Sequence, residues 1–288
     1  MKKKIVVTGA LGYIGTELCK LYSGFSWKYE VIAIDNRFVS ERVNELKRRK
    51  IKFIQADILN LDAIKVYIKD AEVVHHLAGI TDVAYVKKDT NKEKDELTNR
   101  VAIDGTANVL SCMNENATIV FPSTHVVFEG LKNQRENLDE EEKTSTFLVY
   151  SSSKVENENQ IIKSGKKYAI FRLGSVYGFS TDTMRINIMP NLFSKISAQN
   201  GTIKLFAKGK QLKSLVNIKD VARCFKFMEE NKKIENEIFH LVNEQTSVKA
   251  VAELCKKINP KIKLIKTSNA VPNLGYTLSN KKLLNTGF

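Results

Sequence analysis

Short runs of β-branched and other apolar residues alternate, through the first 174 residues, with longer stretches whose apolar positions return every three or four places. This pattern predicts strands near Ile5–Thr8, Glu30–Ile34, Lys52–Gln55, Val73–His76, Thr118–Phe121 and Tyr168–Arg172, with helices in the gaps. The longest gap, Lys92–Asn114, predicts a long helix opened by Asp89-Thr90-Asn91. Repeated βα units argue for an α/β fold, a doubly wound parallel sheet. Beyond Gly174 the rhythm changes to a glycine turn at Val176-Tyr177-Gly178 and then mixed short elements. We therefore expect a domain over 1–174 and a smaller substrate lobe over 175–288, partly interleaved with it, since no repeat or low-complexity linker divides them.

Composition narrows the class. A chain of 288 residues, 43% of them hydrophobic, can bury a substantial core. The apolar run after the leading lysines, Lys4–Gly9, is too short for a signal peptide and runs into glycines, and no stretch has the length of a membrane span. Cys19, Cys112, Cys224 and Cys255 lie far apart with no paired spacing, which predicts reduced thiols, a cytoplasmic location and no metal. The formal charge of +14 raises the question of a polyanionic partner. However, the lysines are scattered, Glu136–Glu142 opposes them, and arginines do not interleave with aromatics. A solvated surface without nucleic-acid or membrane binding is expected, and a positive field suits a small phosphate-bearing substrate.

Two motifs carry chemistry. Gly9, Gly12 and Gly15 follow the first strand, where a turn of bare backbone lets a pyrophosphate approach a helix N-terminus. Asp35 ends the second strand twenty residues after Gly15, where a carboxylate binds ribose hydroxyls and repels a 2′-phosphate. NAD is thus expected over NADP, with Arg37 as a partial offset. Asp57, past the third strand, serves either the adenine end or a helix N-cap. Downstream, Tyr150 and Lys154 stand four apart, so one helical face can bring an ammonium to a phenol and make it a proton shuttle. The fifth strand delivers Phe121-Pro-Ser-Thr-His125 to the same sheet edge, so a hydroxyl at Ser123 or Thr124 can bond a reacting oxygen. His75 and His76 are adjacent on a strand and should face opposite ways, against joint chelation. His125 either tunes the site or faces solvent.

Read together, Thr8–Gly15, Asp35-Asn36, Asp57-Ile58, His76–Gly79, Ser123-Thr124, Tyr150–Lys154, Arg172–Gly178 and Val216–Asp220 resemble the extended short-chain dehydrogenase/reductase family, in its NAD-dependent epimerase/dehydratase branch acting on nucleotide sugars. The resemblance implies a Rossmann domain that holds NAD along Gly9, Gly12, Tyr13, Ile14, Gly15, Asp35, Asn36, Asp57, Ile58, Leu77, Ala78, Gly79, Tyr150 and Lys154. It implies Tyr150 as acid/base, Lys154 on the nicotinamide ribose and Thr124, chosen over Ser123, on the reacting oxygen. It also implies hydride transfer at a sugar carbon, often C4, and homodimerisation through a helical pair.

Departures from the family pattern refine this. Dehydratases carry Asp-Glu after the catalytic Thr and related decarboxylases keep an acid at the second position, whereas this chain has His125-Val126, which favours epimerisation or keto reduction. Ala102 replaces the Asn of an NxxGT motif ending at Thr106. Ser175 stands where a substrate-contacting Asn is common, and Lys213 where an Arg usually meets the diphosphate. Similar chains commonly continue past Thr286-Gly287-Phe288, so a short C-terminal lobe is expected. The expected function is a nucleotide-sugar epimerase, at C4, through a transient keto sugar. Its rival is a nucleotide-linked keto-sugar reductase consuming NADH or NADPH, which Ser123–Gly130 resembles. A third reading is a non-catalytic dinucleotide-sensing or nucleic-acid-binding protein on the same fold.

Overall fold

Residues of successive strands are apolar on both sides, as a sheet covered on both faces requires. β1 (Lys3–Thr8) sends Ile5 and Val7 into one layer and Val6 into the other. There follow α1 (Tyr13–Ser23), β2 (Tyr29–Asp35), α2 (Ser40–Arg48), β3 (Lys52–Gln55), α3 (Leu61–Ile68), β4 (Val73–His76), α4 (Lys92–Cys112) and β5 (Thr118–Thr124). A short β6 (Arg135–Leu138) precedes α5 (Val149–Lys163) and β7 (Lys167–Leu173). The remainder holds β8 (Ser175–Tyr177), α6 (Met189–Ala198), β9 (Thr202–Leu205), β10 (Leu212–Asn217), α7 (Ile218–Phe227), β11 (Glu237–Leu241), β12 (Glu244–Ser247), α8 (Val248–Ile258), β13 (Lys263–Lys266), β14 (Tyr276–Leu278) and α9 (Lys281–Leu284). This computed structural model describes residues 1–81, 91–231, 234–269, 271 and 274–288.

The main sheet runs β11-β7-β5-β4-β1-β2-β3, with every pair parallel. All six expected strands are in it. The seventh, β11, comes from the stretch after Gly174 and pairs with β7 from Glu237–Ala169 to Leu241–Leu173. One face packs Leu18 and Tyr22 of α1 and Phe225 of α7 against Ile5, Val7, Phe171 and Phe239. The other packs Ile64, Val109 and Ile161 of α3, α4 and α5 against Val6, Ile34, Ile119 and Phe121. His75 and His76 divide between these faces: His75 Nε2 lies 2.8 Å from Tyr22 Oη, and His76 Nε2 lies 3.0 Å from Thr106 Oγ1.

One local expectation is met at its described residue and two are modified. Asp89 and Thr90 lie outside the described residues, and α4 is capped by Asn91, whose side chain accepts from Lys94 N–H at 3.0 Å. The helix cap after β3 is Asn60 rather than Asp57. Val176 and Tyr177 are not in a turn but in β8, which pairs with β10, and only Gly178, at φ +131°, turns the chain.

Candidate active site

At the carboxyl ends of the parallel strands, the backbone leaves β1 through Gly9 at φ +67°, a conformation that L side chains resist. A Cβ on Gly9 would stand 2.7 Å from Ala78 N, and one on Gly15 would stand 2.8 Å from Ala10 Cα. Bare backbone at both positions lets the turn nest against the exit of β4 and lets α1 start directly on it. Ala78 N–H donates to Thr8 Oγ1 at 3.2 Å, which ties the two exits together. Gly12, the N-cap of α1, has no side chain to offer, and the first turn carries no acid. The leading amides Tyr13 and Ile14 therefore remain for an anion, which is what a dinucleotide pyrophosphate requires.

Asp35 ends β2 and is buried. Its Oδ2 accepts from Leu11 N–H at 3.0 Å, so the acid is built into the glycine turn. Arg37 grips the same carboxylate, with Nε 3.1 Å from Oδ1 and Nη2 3.3 Å from Oδ2. Next to it, Asn36 Nδ2 donates to Asp57 Oδ2 at 3.0 Å, and Leu59 N–H donates to Asp57 Oδ1 at 2.8 Å. Ile58 is buried beneath Gly105 of α4, where a Cβ would stand 2.8 Å from Ile58 Cγ1. The positions named for the cofactor up to Gly79 thus gather at the carboxyl ends of β1, β2, β3 and β4.

On the far side of β4, Ser123 and Thr124 end β5 and separate by role. Ser123 Oγ donates to Glu158 Oε1 at 2.5 Å, inside a buried fork in which Arg172 Nε and Nη2 meet the same carboxylate at 3.1 and 2.9 Å. Its hydroxyl is committed to the joint between α5 and the sheet. Among the described residues Thr124 Oγ1 accepts one bond, from Val126 N–H at 3.2 Å, and it stays at the strand exit. Tyr150 and Lys154 both lie on α5, four residues apart as expected. Lys154 Nζ donates to Pro122 O at 2.8 Å and sits 4.2 Å from the Phe121 ring centroid. Burial lowers its pKa to about 8, against the smaller opposing pull of Glu158.

The remaining wall comes from the later elements. His125 Nε2 lies 3.2 Å from Ser175 Oγ, and Tyr276 Oη donates to His125 O at 2.8 Å. Burial first, then the nearby Lys213 charge and the His240 ring, pushes the imidazole down to about 3, so His125 is a neutral hydrogen-bonding group. Lys213 on β10 is itself shifted downward by burial, a cation held partly out of water. Ser175 and Lys213 are thereby brought to the exit of β5 beside His125, which turns inward instead of facing solvent.

Several residues of this arrangement are invisible to motif reading. Tyr276 is one, because it is pairing with β6 and packing on β10, near the chain end, that carry it to His125. Glu158 has a legible signal, standing one further turn along the face of Tyr150 and Lys154. Asn157 supplies an amide where Ala102 has none: Nδ2 donates to Ala102 O at 2.9 Å and to Thr106 Oγ1 at 3.1 Å. Among the described residues no group of three or more His, Cys, Asp or Glu is placed to hold a metal, and no helix is long and apolar enough to cross a membrane.

Comparison with known proteins agrees with this geometry. Over 271 residues the chain is 25% identical to a UDP-N-acetyl-alpha-D-glucosaminuronate decarboxylase of Bacillus cytotoxicus, covering 88% of this chain and 79% of that protein. A 110-residue stretch is 32% identical to uncharacterized protein 052L of Frog virus 3, but spans only 38% of this chain and 29% of the viral protein. Among solved structures, the UDP-glucose 4-epimerase of Thermotoga maritima with UDP-glucose superposes at a TM-score of 0.82 and 20% identity, over 99% of this chain and 93% of that one. The UDP-glucuronic acid 4-epimerase of Bacillus cereus, in complex with UDP-glucuronic acid and NAD, superposes at 0.80 and 22% identity, over 98% and 92%. The family match covers residues 5–241, from within β1 to the last residue of β11, and so spans all seven strands of the parallel sheet: the chain belongs to the NAD dependent epimerase/dehydratase family.

Proposed function

We propose that this protein is a cytoplasmic NAD-dependent nucleotide-sugar epimerase acting at C4 through a transient keto sugar. The observation that carries the reading is the exit of β5. It presents the Thr124 hydroxyl and a neutral imidazole, with no carboxylate at 125 or 126 for a further proton transfer, and α5 with Tyr150 and Lys154 stands beside it. Elimination and decarboxylation need an additional acid or base, whereas epimerisation does not. The 4-epimerase names of the structural neighbours support the same choice, and the free thiols of all four cysteines suit a reducing compartment.

NAD, when bound, supplies the acceptor and donor of hydride. Asp35 would hold its adenosine ribose and the leading amides of α1 its pyrophosphate. Thr124 Oγ1 would hold the C4 oxygen, while Tyr150 takes the hydroxyl proton and returns it after the keto sugar has turned over. The Lys154 cation would favour the phenolate that this requires. Lys213 would meet the diphosphate, which restores a counter-charge to a cation that burial disfavours, with Ser175 and His125 on the sugar side.

Incubation with a panel of UDP-, dTDP- and GDP-sugars is expected to give an epimer without added NADH, and Tyr150→Phe to remove it. A second reading, keto-sugar reduction, is favoured by Arg37 beside Asp35, which offers a guanidinium to a 2′-phosphate. Stoichiometric loss of the nicotinamide absorbance with a keto sugar would select it over epimerisation.

A further inference from the structure

Tyr150 occupies the second position of α5, within the turn of a helix that frays first unless its end is satisfied. The sequence offers that end little. Leu148, the N-cap at φ −96° and ψ 148°, makes no side-chain cap, and no acid lies in the first turn. In a capping box the third helical residue reaches back to the N-cap amide. Here the third residue is Ser151, too short for that, and its hydroxyl donates to Leu148 O at 2.9 Å and to a carboxylate from another element.

That carboxylate is Glu129. Its Oε1 accepts from Leu148 N–H at 2.9 Å, from Phe147 N–H at 3.2 Å and from Ser151 Oγ. Glu129 thus supplies from a distance the acceptor that the helix lacks, and it brings a negative charge to the helix end that favours one. Its location gives the bond a further meaning. Glu129 ends the single turn His125–Phe128 that begins at Thr124, whose Oγ1 accepts from Val126 N–H. Two backbone bonds of 2.8 Å, Ser145 N–H to Val127 O and Gly130 N–H to Ser145 O, fasten that turn to the chain entering α5.

Resting on the function proposed above, we infer that Glu129 is a positioning residue. It carries the first turn of α5 to the exit of β5 and so sets where Tyr150 stands relative to Thr124. Glu129 touches no reacting atom in this role. Its effect is to be read in turnover more than in binding, because the crevice that holds the dinucleotide is built from β1, β2, β3 and β4.

The experiment compares Glu129→Ala with Glu129→Gln, which keeps an acceptor oxygen for Leu148 N–H. With a sugar that the wild type converts, the alanine variant is expected to lose about tenfold to a hundredfold in kcat, the scale of a misplaced reacting group. Its KM and its affinity for NAD, measured by calorimetry, should stay within about twofold, and the glutamine variant should recover most of the turnover. Hydrogen exchange at the amides of 147–151 should quicken in the alanine variant and less in the glutamine one. Wild-type kcat in Glu129→Ala, equal impairment in both variants, or unchanged exchange would overturn the inference. If the wild type converts no sugar, the functional reading falls, and the exchange comparison still decides for or against Glu129 as the clamp of this turn.

Discussion

Arg37 lies on Asp35 as a fork, Nε to Oδ1 at 3.1 Å and Nη2 to Oδ2 at 3.3 Å, and its own backbone N–H adds a third bond to Oδ1 at 3.1 Å. The acid that should recognise a ribose diol is therefore already shared with a cation, and that cation is half exposed. Arg37→Gln is expected to sharpen the choice of cofactor. Affinity for NADP should drop by about tenfold, the scale of one charge-assisted bond, with NAD within about threefold. Equilibrium dialysis against each dinucleotide checks this, and an unchanged ratio would assign Arg37 to stabilising Asp35 alone.

Ser123 and Thr124 adjoin in sequence and differ in duty. Ser123→Ala removes a donor from the buried Glu158–Arg172 fork and is expected to destabilise the fold by about 1–3 kcal/mol with turnover of the folded enzyme retained. Thr124→Ala should do the reverse, lowering kcat with little change in the denaturation midpoint. Paired urea titrations and initial rates separate the two.

Lys154 titrates near pH 8, because burial disfavours its ammonium. The charge that supports a Tyr150 phenolate is present below that value and is lost as pH rises through it. A fall in kcat/KM on the alkaline side, with a midpoint near 8, is expected. Lys154→Arg, which stays charged, should move that limb upward even if the rate drops.

Buried histidines and one buried carboxyl give stability opposing dependences on pH. Burial pushes His75, His76 and His125 to about 3 and His240 to about 4, so from there up to 6.5 the unfolded chain binds more protons and stability rises with pH. Glu229 works oppositely. Its oxygens are buried without a hydrogen-bond partner among the described residues, and burial raises its pKa from 4.5 to about 8. The folded chain then binds more protons across that window, and stability falls as pH rises. The Glu229 slope is at most about 1.4 kcal/mol per pH unit, so the four histidines outweigh it up to 6.5, and above 6.5 the falling histidine term and Lys154, which loses its charge near 8, offset it. Denaturant midpoints should rise to about pH 6.5 and then flatten up to 8 in the wild type, and should go on rising across 6.5 to 8 in Glu229→Gln. Parallel profiles for the two proteins across that range would mean that Glu229 is charged.

Two glycines of the crevice should respond differently to alanine. At Gly15 the added carbon meets Ala10 backbone at 2.8 Å, whereas at Gly79 it meets nothing within 4 Å. Gly15→Ala is expected to lose about 1–3 kcal/mol of stability together with NAD affinity. Gly79→Ala should keep its stability within about 0.5 kcal/mol and weaken only NAD, which differential scanning with and without the dinucleotide will show.

The parallel sheet is legible because a strand buried on both faces is written as a dense apolar run. β3 and β4 begin and end at the expected residues, and the other expected strands differ by three residues at most at either end. β11 escapes because nothing local marks Glu237–Leu241 as a partner of β7, some seventy residues earlier. The same reason hides Tyr276 and Glu129, whose roles consist of bonds across more than one element. Of the two roles expected for Asp57 only the helix cap is set aside: Asn60, three residues on, is as good a cap and lies directly before the helix. His125 is ambiguous in sequence because a residue just past a strand can turn either way, and Tyr276 and Ser175 decide it.

The placement of β11 has a bearing on engineering. Exchanging everything after Gly174 for the corresponding part of another protein would strip the sheet of an edge and leave the hydrogen-bonding groups of β7 bare. A graft meant to change what the enzyme accepts would have to come as two pieces, residues 175–217 and 242–288, sewn around α7 and β11 left in place.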